Sequence, residues 1–285
     1  LKKKIGFIDL FIDEWHANNY PRWISQSSLG SEFELAYAWE EQSQPGGRPL
    51  QQWCADMGVE PSASLEELIA KSDCICVLAP SNPESHERLS DLALRSGKPV
   101  YIDKPFAPDF AAARRMQKLA EEHRTPLMSC SALRYSSELM ALNKLPGQVR
   151  HFVCTGGGSN FPEYAIHQIE MVVAGMGCGI EAVTVHGLPE RLSALLHYED
   201  QRLASIAYNP AFAFSFSAEG KEQSLLNQGC SKFFENLTEN ILQFFNSSRS
   251  PIDWRQTAEI AACLQALSKG MHRPAERIAL QKACS

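Results

Sequence analysis

The sequence lacks any long basic run or stripe, which removes the usual sign of a nucleic-acid or anionic-membrane surface. Its net charge is only -6. Nine cysteines are present, at 54, 74, 76, 130, 154, 178, 230, 263 and 284, but the count is odd and no paired metal-type spacing appears. That pattern speaks against a disulfide framework and for reduced thiols acting as small packing residues. Internal repeats and low-complexity stretches are missing too. The opening "LKKK" runs into "IGFIDLFI", an apolar segment that Asp9 and Asp13 interrupt too early for a signal or membrane segment. These absences leave a soluble, cytoplasmic chain with a small-molecule partner as the expectation. Glycine is also scarce at the start: between residues 5 and 20, "IGFIDLFIDEWHANNY", only Gly6 occurs, inside the first apolar run.

What is present is organised by hydrophobic period. With 285 residues, 44% of them hydrophobic, the chain can bury a sizeable core and is long enough for two domains. Up to about residue 130, short apolar runs ("KKIGFIDLF", "FELAYAW", "DCICVLAP", "KPVYID", "PLMSC") alternate with helical patterns. One helix is announced by a capping box, Ser64 with Glu67 in "SLEELIAKS", and others stop at Gly58 and Gly97. Such alternation predicts a Rossmann-like, doubly wound parallel sheet over residues 1–130. Afterwards "QVRHFVCT", "IEAVTVHGL", "RLSALLHYE" and "RLASIAYN" read as strands, the last three with no helix between them, while "PEYAIHQIEMVVAGMG" and two later segments read as helices. Residues 131–285 are therefore expected to form an α+β domain around a largely antiparallel open sheet, whose last helix can pack back on the first domain.

Two elements closing predicted strands carry a family resemblance. Pro80 to His86, in "APSNPESH", resembles the Pro-Asn-x-x-His loop of the glucose-fructose oxidoreductase and inositol dehydrogenase (Gfo/Idh/MocA) family, and Asp103-Lys104-Pro105 is similar to its Glu-Lys-Pro. "ALRYSSEL" and "PIDWRQTAEIAACLQALSKG" resemble its entry to the second domain and its closing helix. The resemblance implies a nicotinamide-dependent oxidoreductase acting on a hydroxyl of a sugar, polyol or related compound. Lys104 would be the acid-base residue, since a lysine beside the cofactor crevice can hold a developing alkoxide and shuttle its proton. The family's helix-borne Asp-x-x-x-His corresponds to Glu163 and His167, four residues apart and so on one helical face. Arg134, Tyr135 and Tyr164 are the expected substrate contacts. The alternatives for them are an ion pair at Arg134 and, at Glu163, a helix cap.

The same resemblance places the cofactor against Asp9, Phe11, His16, Glu40, Pro80, His86, Asp103 and Pro105. Asp9 and Phe11 fall where the first two glycines of a dinucleotide loop belong, with Asp13 or Glu14 near the third. Several carboxylates would then face a pyrophosphate, each close contact costing ~1 kcal/mol or more. Binding is expected to be weak, and NAD to be preferred over NADP because Glu40 and Glu41 follow the second strand. Three functions stay open on these residues: the NAD(P)-dependent oxidoreductase, a non-redox acid-base enzyme (lyase, isomerase or hydrolase) that has lost the nucleotide site, and a non-catalytic binding subunit. No metal site is expected. Family precedent implies a homodimer or tetramer.

Overall fold

In the computed structural model, which describes residues 1–142, 147–220 and 224–281, the chain divides into two units. One comprises Leu1–Cys130 with Leu237–Ile252, the other Ser131–Asn236 with the chain from Asp253 onward. Of the nine cysteines, Cys284 lies outside the described residues; the other eight are free thiols.

The first unit alternates strand and helix: β1 (Lys3–Asp9), α1 (Trp15–Gln26), β2 (Phe33–Glu40), α2 (Leu50–Met57), β3 (Glu60–Pro61), α3 (Leu65–Lys71), β4 (Cys74–Val77), α4 (Pro83–Leu94), β5 (Val100–Ile102), α5 (Phe110–Glu122) and β6 (Leu127–Met128). All pairs in its six-stranded sheet are parallel, in the order β3-β2-β1-β4-β5-β6. A central parallel strand is covered on both faces, so its sequence is apolar at successive positions rather than alternate ones. Ile5 to Asp9 and Cys74 to Val77 are accordingly buried throughout. Burial also raises the Cys74 and Cys76 thiols well above their ordinary range, which keeps them protonated and inert. Gly6 has a packing role: a Cβ there would run into Leu68 and Ser72, so its absence lets α3 lie against β1. The Ser64 cap forms as the spacing predicts, with the Glu67 amide donating to Ser64 Oγ at 3.2 Å and the Ala63 amide to Glu67 Oε2 at 2.7 Å.

The second unit opens with a 3-10 turn (Ala132–Tyr135) and contains α6 (Ser137–Leu142), β7 (His151–Gly156), α7 (Phe161–Met176), β8 (Ile180–Leu188), β9 (Arg191–Tyr198), β10 (Leu203–Tyr208), β11 (Ser215–Glu219) and β12 (Ser224–Asn227). Helix α8 (Phe233–Ser247) begins there and passes into the first unit, and α9 (Trp254–Met271) and β13 (Arg277–Ala279) complete the second. The closing helix α9 thus lies in the second unit, and the returning segment is 237–252 instead. Seven strands form one sheet, β12-β11-β7-β10-β9-β8-β13, with β7 and β10 parallel and every other pair antiparallel. Leu203–Tyr208 alternates half-buried and buried residues, the pattern of a sheet with one covered face. Helices α7 and α9 supply the cover.

Candidate functional site

A strand order of 3-2-1-4-5-6 leaves a crevice at the carboxyl ends of β1 and β4, where the chain winds away in opposite directions, and ligands of such sheets sit there. Asp9 closes β1, Ala79 and Pro80 follow β4, and Asp103-Lys104-Pro105 follows β5, so the predicted residues of the first unit do converge on this end. Asp9 spans the crevice itself. Its Oδ1 accepts the Phe11 amide at 3.3 Å and the Ala79 amide, beyond β4, at 3.0 Å. Its Oδ2 is buried without a hydrogen-bond partner. Burial, reinforced by the nearby Glu14, pushes the Asp9 carboxyl well above the ordinary carboxylate range despite those amides.

The loop from Leu10 to Glu14 is held by further carboxylates. Glu14 is the N-cap of α1, and its two oxygens accept separate amides: Oε2 from His16 at 2.8 Å and Oε1 from Ala17 at 2.7 Å. Its carboxyl is raised, chiefly by burial. Glu40, at the end of β2, accepts the Ile12 amide at 3.1 Å, the Leu50 amide at 3.1 Å and the Ser43 hydroxyl at 2.9 Å. Glu41 pairs with Arg88. Asp13 turns toward Arg48, whose Nη2 lies 2.7 Å from its Oδ1, and these bonds hold Asp13 below the usual carboxylate range. The expectation that Asp13 faces a phosphate is therefore corrected: a guanidinium across the loop claims it.

Beneath Lys104 lies a buried pair. His16 Nδ1 meets Asp103 Oδ2, while Asp103 Oδ1 accepts the Lys104 amide at 2.8 Å and the Tyr101 hydroxyl at 3.2 Å. Burial would raise the Asp103 carboxyl, but the His16 imidazole and the Lys104 charge overcome it and bring the value to about 2. Asp103 is thus an anion anchored beneath Lys104. The Lys104 ammonium donates to the Pro80 carbonyl at 3.2 Å, and the Lys104–Pro105 peptide is cis. His86 is fully buried, with Nε2 2.7 Å from the Leu78 carbonyl and Nδ1 3.2 Å from that of Phe106. Burial lowers its pKa, and a neutral imidazole carries one N–H, so it donates to one of these two carbonyls and packs against the other.

In the second unit, His167 Nδ1 is 2.7 Å from the Ser131 hydroxyl, which also accepts the Leu133 amide at 3.3 Å. The Ser131 hydroxyl thus fixes the Nδ1 edge of the imidazole. The sequence offered no sign of Ser131, which lies 36 residues from its partner. Glu163, in the first turn of α7, contacts the Ser159 hydroxyl at 3.2 Å and the Asn160 side-chain amide at 3.1 Å, and its own amide donates to the Asn160 cap at 3.0 Å. Tyr164 packs beside His167, their ring centroids 5.6 Å apart. Arg134 forms a buried ion pair with Glu170 and donates to Gln256 at 2.7 Å. The Tyr135 side chain is buried, and its carbonyl accepts from Asn236 at 2.9 Å.

These contacts test whether a dinucleotide fits. The strand ends suit one, with Lys104 beside the crevice and acids closing β2. The phosphate cradle does not suit one in this arrangement, because Glu14 takes the helix amides that would hold a pyrophosphate and Asp9 crosses the crevice. Among the described residues, no group of three or more His, Cys, Asp or Glu side chains is arranged to hold a metal ion.

Comparison with known proteins gives the wider frame. Residues 27–130 match the family model described as an oxidoreductase family with an NAD-binding Rossmann fold; the match begins after α1 and leaves out β1 and the acidic loop. An uncharacterized oxidoreductase of Schizosaccharomyces pombe is 23% identical over 186 residues, 61% of this chain and 50% of that protein. The matched region thus spans about half the length of this curated relative. Among solved structures, an apo scyllo-inositol dehydrogenase from Lactobacillus casei (TM-score 0.80, 15% identity, 98% of each chain) shares the fold. So do myo-inositol 2-dehydrogenase from Lactobacillus plantarum (0.79, 14%, 99% of this chain and 100% of that one) and the WlbA dehydrogenase from Bordetella pertussis in complex with NADH and UDP-GlcNAcA (0.78, 17%, 99% and 100%). The resemblance carried by Pro80 to His86 and Asp103 to Pro105 is thus matched by these comparisons: residues 27–130 are similar to the Rossmann module of the Gfo/Idh/MocA oxidoreductase family, within a chain that has the fold of these dehydrogenases over nearly its whole length.

Proposed function

We propose that the protein is an NAD(P)-dependent oxidoreductase that moves a hydride between the nicotinamide ring and a hydroxyl-bearing carbon of a small sugar, polyol or related compound. The observation that carries this reading is the oxidoreductase family match over residues 27–130, which takes in Lys104 at the carboxyl end of β5. The inositol dehydrogenases and the UDP-GlcNAcA complex among the structural neighbours support a polyhydroxylated substrate. Glu40, an acid at the end of β2, supports NAD by repelling a 2′-phosphate, while Glu41 beside it is paired with Arg88.

A bound nicotinamide would supply the hydride acceptor; the chain's own residues manage the proton. Lys104 has three donors, of which the Pro80 carbonyl takes one, leaving the ammonium suited to a substrate oxygen. Asp103 holds the Lys104 backbone from below, and His16 fixes Asp103. His167, its Nδ1 edge fixed by Ser131, is the second unit's candidate for proton transfer. Arg134 is committed to Glu170, which leaves Tyr164, packed beside His167, as the favoured substrate contact of the three. Glu163, in the first turn of α7, would help to order the Asn160 cap.

A second reading is favoured by one observation, the self-occupied cradle: acid-base chemistry without a nucleotide, or a non-catalytic binding subunit, on the same scaffold. Calorimetric titration with oxidised and reduced NAD and NADP, followed by assays with inositols and hexoses, separates the two. Saturable dinucleotide binding with substrate-dependent nicotinamide reduction supports the oxidoreductase. Folded protein that binds none of the four supports the second reading.

For its setting we propose a soluble, cytoplasmic homo-oligomer, dimer or tetramer, assembled through the open face of the second unit's sheet. Among the described residues no helix is long and apolar enough to cross a membrane. The half-buried Leu195 and Leu203 and the exposed Val153 lie at alternate positions whose neighbours are buried, and so on that face.

A further inference from the structure

A dinucleotide loop works because its backbone amides are left without internal partners. Here they are used up. The Phe11 amide goes to Asp9, the Ile12 amide to Glu40, the Glu14 amide to the Ile12 carbonyl at 2.9 Å, and the His16 and Ala17 amides to Glu14. Glu14 places one oxygen on each of the two helix amides, the contact that two oxygens of a phosphate group would make. Its position as N-cap is itself unusual, since short Ser, Thr, Asp and Asn side chains are the preferred caps. A second observation lies beside it: the Asp9 carboxyl, on a residue only 1% exposed and with Oδ2 unpartnered, is raised in part by the Glu14 charge, so two acids crowd the position a pyrophosphate would take.

Resting on the oxidoreductase reading above, we infer that Glu14 is a built-in occupant of the pyrophosphate position, and that a dinucleotide reaches the amides of His16 and Ala17 only when the Glu14 carboxylate turns out. The carboxylate and the pyrophosphate compete for the same two donors, both as anions making charge-assisted hydrogen bonds. Affinity for any ligand carrying a pyrophosphate is lowered by that competition. A ligand with only the adenosine half, which carries no phosphate, escapes it. Neighbouring Asp13 does not share the role, because Arg48 and Asn18 hold it.

The test is binding, read independently of turnover. The wild-type chain, Glu14→Gly and Glu14→Gln are titrated calorimetrically with NADH, ADP-ribose and adenosine, each variant first shown by circular dichroism to keep its helix content and a cooperative melt. Glycine is chosen because it is tolerated at an N-cap and bares both amides. The expected result is a gain of at least tenfold for NADH and ADP-ribose in Glu14→Gly, a smaller gain in Glu14→Gln, and no change for adenosine. If wild type binds NADH tightly and Glu14→Gly binds it equally well, the inference is overturned while the oxidoreductase reading stands. An equal gain for adenosine also overturns it, by moving the competition away from the phosphates. Folded wild type and variants that bind neither NADH nor ADP-ribose overturn both the inference and the cofactor reading beneath it.

Discussion

Lys104 and Asp9, one at the end of β5 and the other at the end of β1, carry opposite obligations. Lys104 is buried and its charge helps to keep Asp103 ionised, so replacing it touches stability as well as chemistry. Lys104→Met is expected to lower turnover by roughly a hundredfold or more on protein that still melts cooperatively, at a reduced temperature; near-wild-type turnover on that folded protein rejects its acid-base role. Asp9 is the costly residue. Its carboxyl is raised by burial in the folded state, so its protonated form is the one folding favours. The sign follows: stability is fully kept below the ordinary carboxylate value and declines as pH rises above it. Asp9→Asn keeps an oxygen for the Phe11 and Ala79 amides and removes the ionisable oxygen that has no partner. Denaturant unfolding is expected to find it more stable than wild type at neutral pH, by about 1 to 3 kcal/mol, with the difference shrinking toward pH 4. A gain that is constant with pH would show that Asp9 does not titrate. Asp103 works the other way, since its value is depressed to about 2. The stabilisation it brings is present above the ordinary carboxylate value and is lost as pH falls through about 2.

Between elements, the tightest requirement is the approach of α3 to β1 over Gly6. Gly6→Ala would drive a Cβ into Leu68, which sits on α3, and Ser72 just beyond it. Overpacking of this kind costs ~1–3 kcal/mol, so a lowered melting temperature is expected, and an unchanged one would mean that α3 shifts freely. The elements themselves were largely legible. Continuous apolar runs marked the buried parallel strands, alternation marked β9 and β10, and the Ser64 box marked the start of α3. Strands β3 and β13 were not legible, being two and three residues long, and β11 and β12 are short and partly polar, so little periodicity could accumulate. The site was legible as a set of residue types but not as a set of partnerships. Glu40 suggested a ribose acid, yet it serves the Ile12 and Leu50 amides. His16 and Asp103 are 87 residues apart, Asp9 and Ala79 70 apart, and no local pattern encodes which side chain a distant strand end will meet.

On the scale of the whole chain, the second unit's sheet leaves one face without a covering helix among the described residues, and sedimentation at micromolar concentration is expected to show a species larger than the monomer. A monomer would reject assembly through that face. The other large-scale feature is the return of residues 237–252 to the first unit. There Glu239 accepts from the Ser27 hydroxyl at 2.6 Å and the Ser28 amide at 3.1 Å, Asn246 donates to Glu32 at 3.0 Å, and the Phe245 ring packs 6.3 Å from that of Phe33. During synthesis, then, the Rossmann sheet emerges from the ribosome with one flank bare and waits more than a hundred residues for the helix that covers it. A fragment ending at Cys130 is expected to be poorly soluble on its own and to recover a cooperative melt when a peptide spanning 237–252 is supplied in trans. The N-terminal unit matures in two instalments, and a nascent chain stalled between them carries exposed Phe33 as its point of vulnerability.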